Sequence, residues 1–140
     1  MEKFEFTKSE LEETTEILNH LRDIIGETLK SDDEQQLREQ LTTAIVEGHI
    51  QRDIFGLNPI LQALRTAQIA VDEIGLKRDG VLATMLFTLV LNGHLTLEDT
   101  ETKFGTSVAH IIHGLVKIHN LYKKNPIIES ENFRNLLISF

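Results

Sequence analysis

Six histidines, 22 acidic residues and no cysteine define the chemistry open to this chain of 140 residues. Without a thiol there is no thiolate zinc site, no redox pair and no cysteine nucleophile. Three of the histidines, His110, His113 and His119, fall in one stretch of helical periodicity. His110 and His113 are neighbours on one helix face and could share a metal ion, whereas His119 lies about two and a half turns beyond His110. A metal there needs a third ligand from elsewhere, and 108–116 contains no acidic residue. Partly exposed histidines on an amphipathic helix are the plainer reading. The carboxylate runs Glu10-Leu11-Glu12-Glu13, Asp32-Asp33-Glu34 and Glu98-Asp99 with Glu101 stand where helices begin. There they complement the positive end of the helix dipole, which explains them without acid–base catalysis. The glycines form neither GxGxxG nor GxxxxGK[ST], and GxSxG is missing. The residues by themselves assemble no catalytic set and no metal-binding set.

The elements that would carry these groups read as helices. Ser9 with Glu12, and Ser31 with Glu34, fit the capping box, in which hydroxyl and carboxylate each satisfy one free backbone N–H. From Ser9 an apolar stripe runs through Leu11, Ile17, Leu18, Leu21, Ile24, Ile25 and Leu29, and from Asp32 another runs through Leu37, Leu41, Ala44 and Ile45 to Gly48. Asn58-Pro59 opens a third helix that Gly75 ends. The stretch 81–91 is apolar almost all round, which predicts a central helix enclosed by the others and ended by Asn92-Gly93. On that reading a charge introduced at 87–88 costs about 3–5 kcal/mol. Thr96 with Asp99 starts a short helix ending near Phe104-Gly105, and a longer one follows from Thr106, with Lys117, Lys123 and Lys124 suited to its negative end. After Asn125-Pro126 the pattern over 128–140 is helical again. The expectation is an all-α orthogonal bundle of about seven helices in a single domain over 1–140, with no internal repeat, linker or low-complexity segment.

Length and charge narrow the function. A chain of 140 residues buries a core without disulfides or a structural metal. Its apolar runs fall short of the ~20 residues a membrane span needs, and the start Met1-Glu2-Lys3-Phe4-Glu5 lacks the layout of a signal peptide. The expectation is a cytoplasmic protein without a membrane partner. A formal charge of −8 argues against coating DNA or RNA, which requires dense Lys and Arg. The sequence stops at Asn135-Leu136-Leu137-Ile138-Ser139-Phe140, inside an apolar pattern without a stop signal, so we expect a fragment from the N-terminal part of a longer protein.

A resemblance covers about 47–140. The residues that carry it are Asn58-Pro59 followed by Leu61-Gln62-Ala63-Leu64, the apolar helix 82–90, Leu95-Thr96-Leu97-Glu98-Asp99, and Lys103-Phe104-Gly105. They continue with Val108-Ala109, His113-Gly114-Leu115-Val116-Lys117 and Glu131-Asn132-Phe133-Arg134-Asn135-Leu136-Leu137. In order and spacing they resemble the N-terminal HD-type domain of long bacterial RelA/SpoT proteins, which make and degrade guanosine tetra- and pentaphosphate in the stringent response.

The resemblance implies an HD-domain fold and, in active members, a manganese-dependent 3′-pyrophosphohydrolase. Its ion is held by the His of an HP motif, the His-Asp pair that names the domain, and a later Asp; a Glu-Asp pair serves the attacking water. In this chain the HP position is Asn58, the His-Asp pair is Phe87-Thr88, and the Glu-Asp pair is Leu91-Asn92. An Arg-Lys pair before the HP motif is matched only by Arg52 with Asp53, and the fourth ligand would fall after Phe140. A hard divalent cation needs imidazole nitrogen and carboxylate oxygen, so these departures imply that Arg52, Asp53, Asn58, Phe87, Thr88, Leu91 and Asn92 are vestigial positions with no metal or other cofactor. The expected role is a pseudo-hydrolase that is structural and regulatory for a downstream GTP pyrophosphokinase, the (p)ppGpp synthetase domain of the same chain. Binding of a guanine nucleotide without cleavage stays open. Arg52, Lys77 and Arg78 are the cations that could meet its phosphates, although solvated surface charge is the plainer role for each. The alternatives are an active hydrolase with a displaced site, drawing on His110 and His113, and a plain helical interaction module.

Overall fold

A computed structural model describes residues 4–124. Its described residues form six helices and no strand: α1 (Lys8–Ile25), α2 (Ser31–Val46), α3 (Pro59–Ile74), α4 (Arg78–Leu91), α5 (Leu97–Phe104) and α6 (Thr106–Lys124). The all-α expectation holds. The seventh helix expected over 128–140, and the side chains of Lys123 and Lys124, lie outside the described residues.

Local chemistry sets most of the boundaries. Asn58 Oδ1 accepts from the N–H groups of Ile60 (3.0 Å) and Leu61 (3.1 Å), Pro59 occupies the first helical position, and Gly75 closes α3 in the left-handed region at φ 71°. Thr96 caps α5 through Asp99 N–H at 3.0 Å. Two starts differ from expectation. α1 begins one box earlier, where Thr7 Oγ1 accepts from Glu10 N–H and Glu10 Oε1 accepts from Thr7 N–H. Ser9-x-x-Glu12 fits the same pattern, but Glu10 also holds Arg52, and that second engagement fixes the register. At α2 Ser31 is the first helical residue, not the cap. Asp33 accepts from Lys30 N–H at 3.2 Å while pairing with Arg78 of α4.

α4 is the hub. It packs on α3 and α6 and touches α2; α1 packs on α3, and α5 on α6. Val81, Leu82, Ala83, Met85, Leu86 and Leu89 are buried, with Leu82 and Leu86 fully so, and they meet Leu21, Leu61, Leu64, Phe104 and Ile112 in one core. The helix is not enclosed on every side, however. Phe87 and Leu91 are half-buried and Thr88 is exposed. Phe87 makes an edge contact with His119 of α6, ring centroids 6.1 Å apart. The expected burial penalty for a charge at 87–88 therefore does not apply at Thr88, because the side chains of α3 and α6 leave that face of α4 open to solvent.

Candidate functional site

The open face of α4 forms one wall of a cleft of about 370 Å³, with α3 opposite and the 51–57 connection across one end. Asp53, Phe87 and Thr88 line it together with Pro59, Gln62 and Thr84. Three of the seven vestigial positions are thus brought together. Arg52, Leu91 and Asn92 are not among its lining residues, and Asn58, between the lining residues Leu57 and Pro59, is buried at 2% exposure.

What these groups do is structural. Asn58 Oδ1 is occupied by two backbone donors of α3. Those donors also fix which end of the amide is oxygen, so the atom left buried without a partner is Nδ2, an N–H donor that repels a cation. Asp53 Oδ1 accepts from Phe55 N–H (2.9 Å) and Leu57 N–H (3.0 Å), closing its own turn. Phe87 supplies only hydrocarbon. Among the described residues the donor set does not fit a manganese ion: no imidazole lines the cleft, its one carboxylate already accepts two backbone N–H groups through Oδ1, and the neighbouring Asn58 amide leaves only an N–H donor unpaired.

The cations are committed as well. Arg52 donates to Glu10 Oε2, to Gly56 O and to Glu5 O, each at 2.8 Å, and lies over the Phe4 ring, 5.4 Å from its centroid. It clamps the segment before α1 to the 51–57 connection. This guanidinium, aided by Thr7 N–H, holds the Glu10 carboxyl at about 2. Arg78 bridges Asp33 (2.8 Å), Asp79 (2.7 Å) and Phe104 O (3.0 Å), tying together α2, α4 and the end of α5. Its guanidinium keeps the Asp33 carboxyl below the usual carboxylate range. Arg52 and Arg78 are therefore not the solvated surface charges expected of them; only Lys77 is plainly exposed.

His110 and His113 lie exposed on α6, and among the described residues neither joins a group able to hold a metal. The structure instead gathers three residues that the pattern of the sequence did not reveal: Glu47, His49 and His94, with their ligand atoms within 4.8 Å of one another. The signal was present as a repeated Gly-His after two helix ends, Gly48-His49 and Gly93-His94. Among the described residues no helix is long and apolar enough to cross a membrane.

An all-helical frame with a cleft between α3 and α4 is the setting in which the family match falls. The chain belongs to the HD domain family, whose pattern matches residues 39–140. More particularly it is an HD-type domain of the RelA/SpoT kind. Over 124 residues it is 25% identical to a guanosine-3′,5′-bis(diphosphate) 3′-pyrophosphohydrolase of Vibrio cholerae serotype O1, a match covering 88% of this chain and 17% of that one. Over 83 residues it is 26% identical to the protein of the same description from Aquifex aeolicus, covering 59% of this chain and 11% of that one. The chain thus spans less than a fifth of the length of these relatives. No solved structure matches it.

Proposed function

We propose that this chain is a catalytically inactive HD domain with a structural and regulatory role beside a GTP pyrophosphokinase domain of the same polypeptide, in a protein of guanosine tetraphosphate metabolism. One observation carries the reading: at the positions that match the ion-holding and water-activating residues of hydrolysing relatives, Phe87 and Leu91 are hydrocarbon, Thr88 offers only a neutral hydroxyl, and Asn58 and Asn92 are neutral amides already bonded to backbone groups, while the preceding Arg52 and Asp53 are engaged in holding the fold. Asn58 caps α3, Asp53 closes its turn and Arg52 anchors Glu10. Among the described residues the cleft lining holds one carboxylate and no Lys or Arg, which also disfavours an alarmone, whose clustered phosphates require cations to bind. The sequence-level family match weighs against a helical module related by fold alone. A displaced hydrolase site on His110 and His113 gains no support, since both are exposed without a third ligand among the described residues.

The test is incubation of the purified chain with guanosine tetraphosphate and manganese, with pyrophosphate and guanosine diphosphate followed by chromatography. No release above the protein-free control is expected, and clear release overturns the reading. The sequence of the gene supplies the second test, because an adjoining synthetase domain is expected only on this reading.

A further inference from the structure

The ends of α2 and α4 are built alike. Each helix closes with a left-handed glycine, Gly48 at φ 79° and Gly93 at φ 78°. The glycine N–H returns to the carbonyl three residues back, Ile45 at 3.1 Å and Val90 at 3.2 Å. The histidine that follows donates its N–H to the carbonyl five residues back, His49 to Ala44 at 2.8 Å and His94 to Leu89 at 3.0 Å. Both are Schellman endings with histidine at the same place. Asn92 Nδ2 donates to His49 O at 2.9 Å and locks one ending to the other, leaving the two imidazoles with centroids 4.9 Å apart.

Glu47 completes the group. Its Oε2 lies 3.0 Å from His94 Nδ1 and 3.8 Å from His49 Nε2. Bonds of about 2.0–2.1 Å at tetrahedral angles place ligand atoms about 3.3 Å apart; the two Glu47 separations bracket that value, and all three ligand atoms lie within 4.8 Å of one another. The His94 side chain is only 5% exposed, and its Nδ1, shut off from solvent, has no hydrogen-bond partner; the nearby carboxylate is within ion-pair distance but off the line that a hydrogen bond needs. A buried ring nitrogen left in this state costs free energy in either tautomer, and a cation between it and the carboxylate would answer both groups.

We propose that Glu47, His49 and His94 bind a divalent transition-metal ion of the zinc class, one per chain, joining the α2–α3 connection to the α4–α5 turn. Two neutral imidazoles and one carboxylate are the donors that such an ion takes in preference to magnesium or calcium, which favour oxygen alone. Three protein ligands leave a fourth position for water, and partly exposed Glu47 and His49 give solvent access to it. None of the three is a position at which the family resemblance places a ligand, so the site stands independently of the inactive cleft.

The experiment uses the chain without a histidine tag, stripped with a chelator and dialysed. Titration with zinc chloride in a calorimeter should show one equivalent bound, with a rise in Tm that magnesium does not reproduce. Cobalt(II) at the same site should give the visible bands of four-coordinate cobalt with nitrogen ligands. His94→Gln and Glu47→Gln should each weaken zinc binding by more than the about 10–100-fold typical of losing an outer-shell partner. His110→Gln should leave it unchanged. Because Glu47 is exposed at a helix end, its variant remains folded and informative even if His94→Gln does not. Absence of stoichiometric binding overturns the proposal, as does binding that survives Glu47→Gln or that is lost with His110→Gln.

Discussion

The cleft between α3 and α4 and the corner where α2 and α4 end both draw on α4, but they hold their polar groups in opposite ways. Around the cleft the family's imidazole and carboxylate ligands are replaced by Asn58, Phe87 and Thr88, and the oxygens Asn58 Oδ1 and Asp53 Oδ1 already accept backbone N–H groups. At the corner a buried imidazole nitrogen and a carboxylate face each other without a hydrogen bond. Retained architecture therefore says little about retained chemistry. What decides it is whether donors and acceptors at the site are already satisfied by the fold.

The sharpest way to break this contrast is to return a ligand to the cleft. Asn58→His removes an acceptor shared by two backbone donors and forces a larger ring into a site 2% exposed. Loss of the cap and overpacking together should cost about 2–4 kcal/mol, read from urea denaturation. A variant as stable as the parent would mean that Asn58 is not the structural residue described above.

A smaller effect tests the other vestigial position tied into the fold, Arg52. Its partner Glu10 has a folded-state pKa of about 2 against an ordinary 4.5, depressed first by the hydrogen bond from Arg52. A depressed carboxyl contributes its full stabilisation above the unfolded value and loses it as pH falls from about 4.5 toward 2. Stability should therefore decline over that window. Glu10→Gln should be less stable at neutral pH and show a shallower acid decline, in urea midpoints taken across the range. An unchanged slope would show that Arg52 does not engage Glu10 in solution.

The reach of local sequence rules follows the same division. Asn58-Pro59, Gly75, Thr96 with Asp99 and Phe104-Gly105 were legible as boundaries because their partners lie within a few residues. The start of α1 was not, since Thr7-x-x-Glu10 and Ser9-x-x-Glu12 match one pattern and the choice depends on Arg52, 42 residues from Glu10. The vestigial cleft was legible through motif order, but the commitments of its side chains were not, because Asn58 as a cap and Asn58 as a lost ligand are the same letter. Glu47, His49 and His94 escaped for a topological reason: two helix ends remote in sequence meet only after α3 and α4 have packed.

The smallest expected effect concerns Thr88, where the apolar pattern of 81–91 predicted a large one. Its side chain is exposed, so Thr88→Asp introduces a hydrated charge with little desolvation. The remaining cost comes from the helix dipole, because position 88 lies near the negative end of α4. About 0.5 kcal/mol is expected from urea denaturation at neutral pH. Combining it with Phe87→His restores the letters of the family pair, yet it should yield no alarmone hydrolysis with manganese. Asn58 still presents an N–H in place of an imidazole, and Leu91 and Asn92 still lack the carboxylates that would activate water. Hydrolysis by the double variant would show that two ligands suffice and that the cleft is one step, not several, from activity. A loss of several kcal/mol in Thr88→Asp alone would show that this face of α4 is covered in solution.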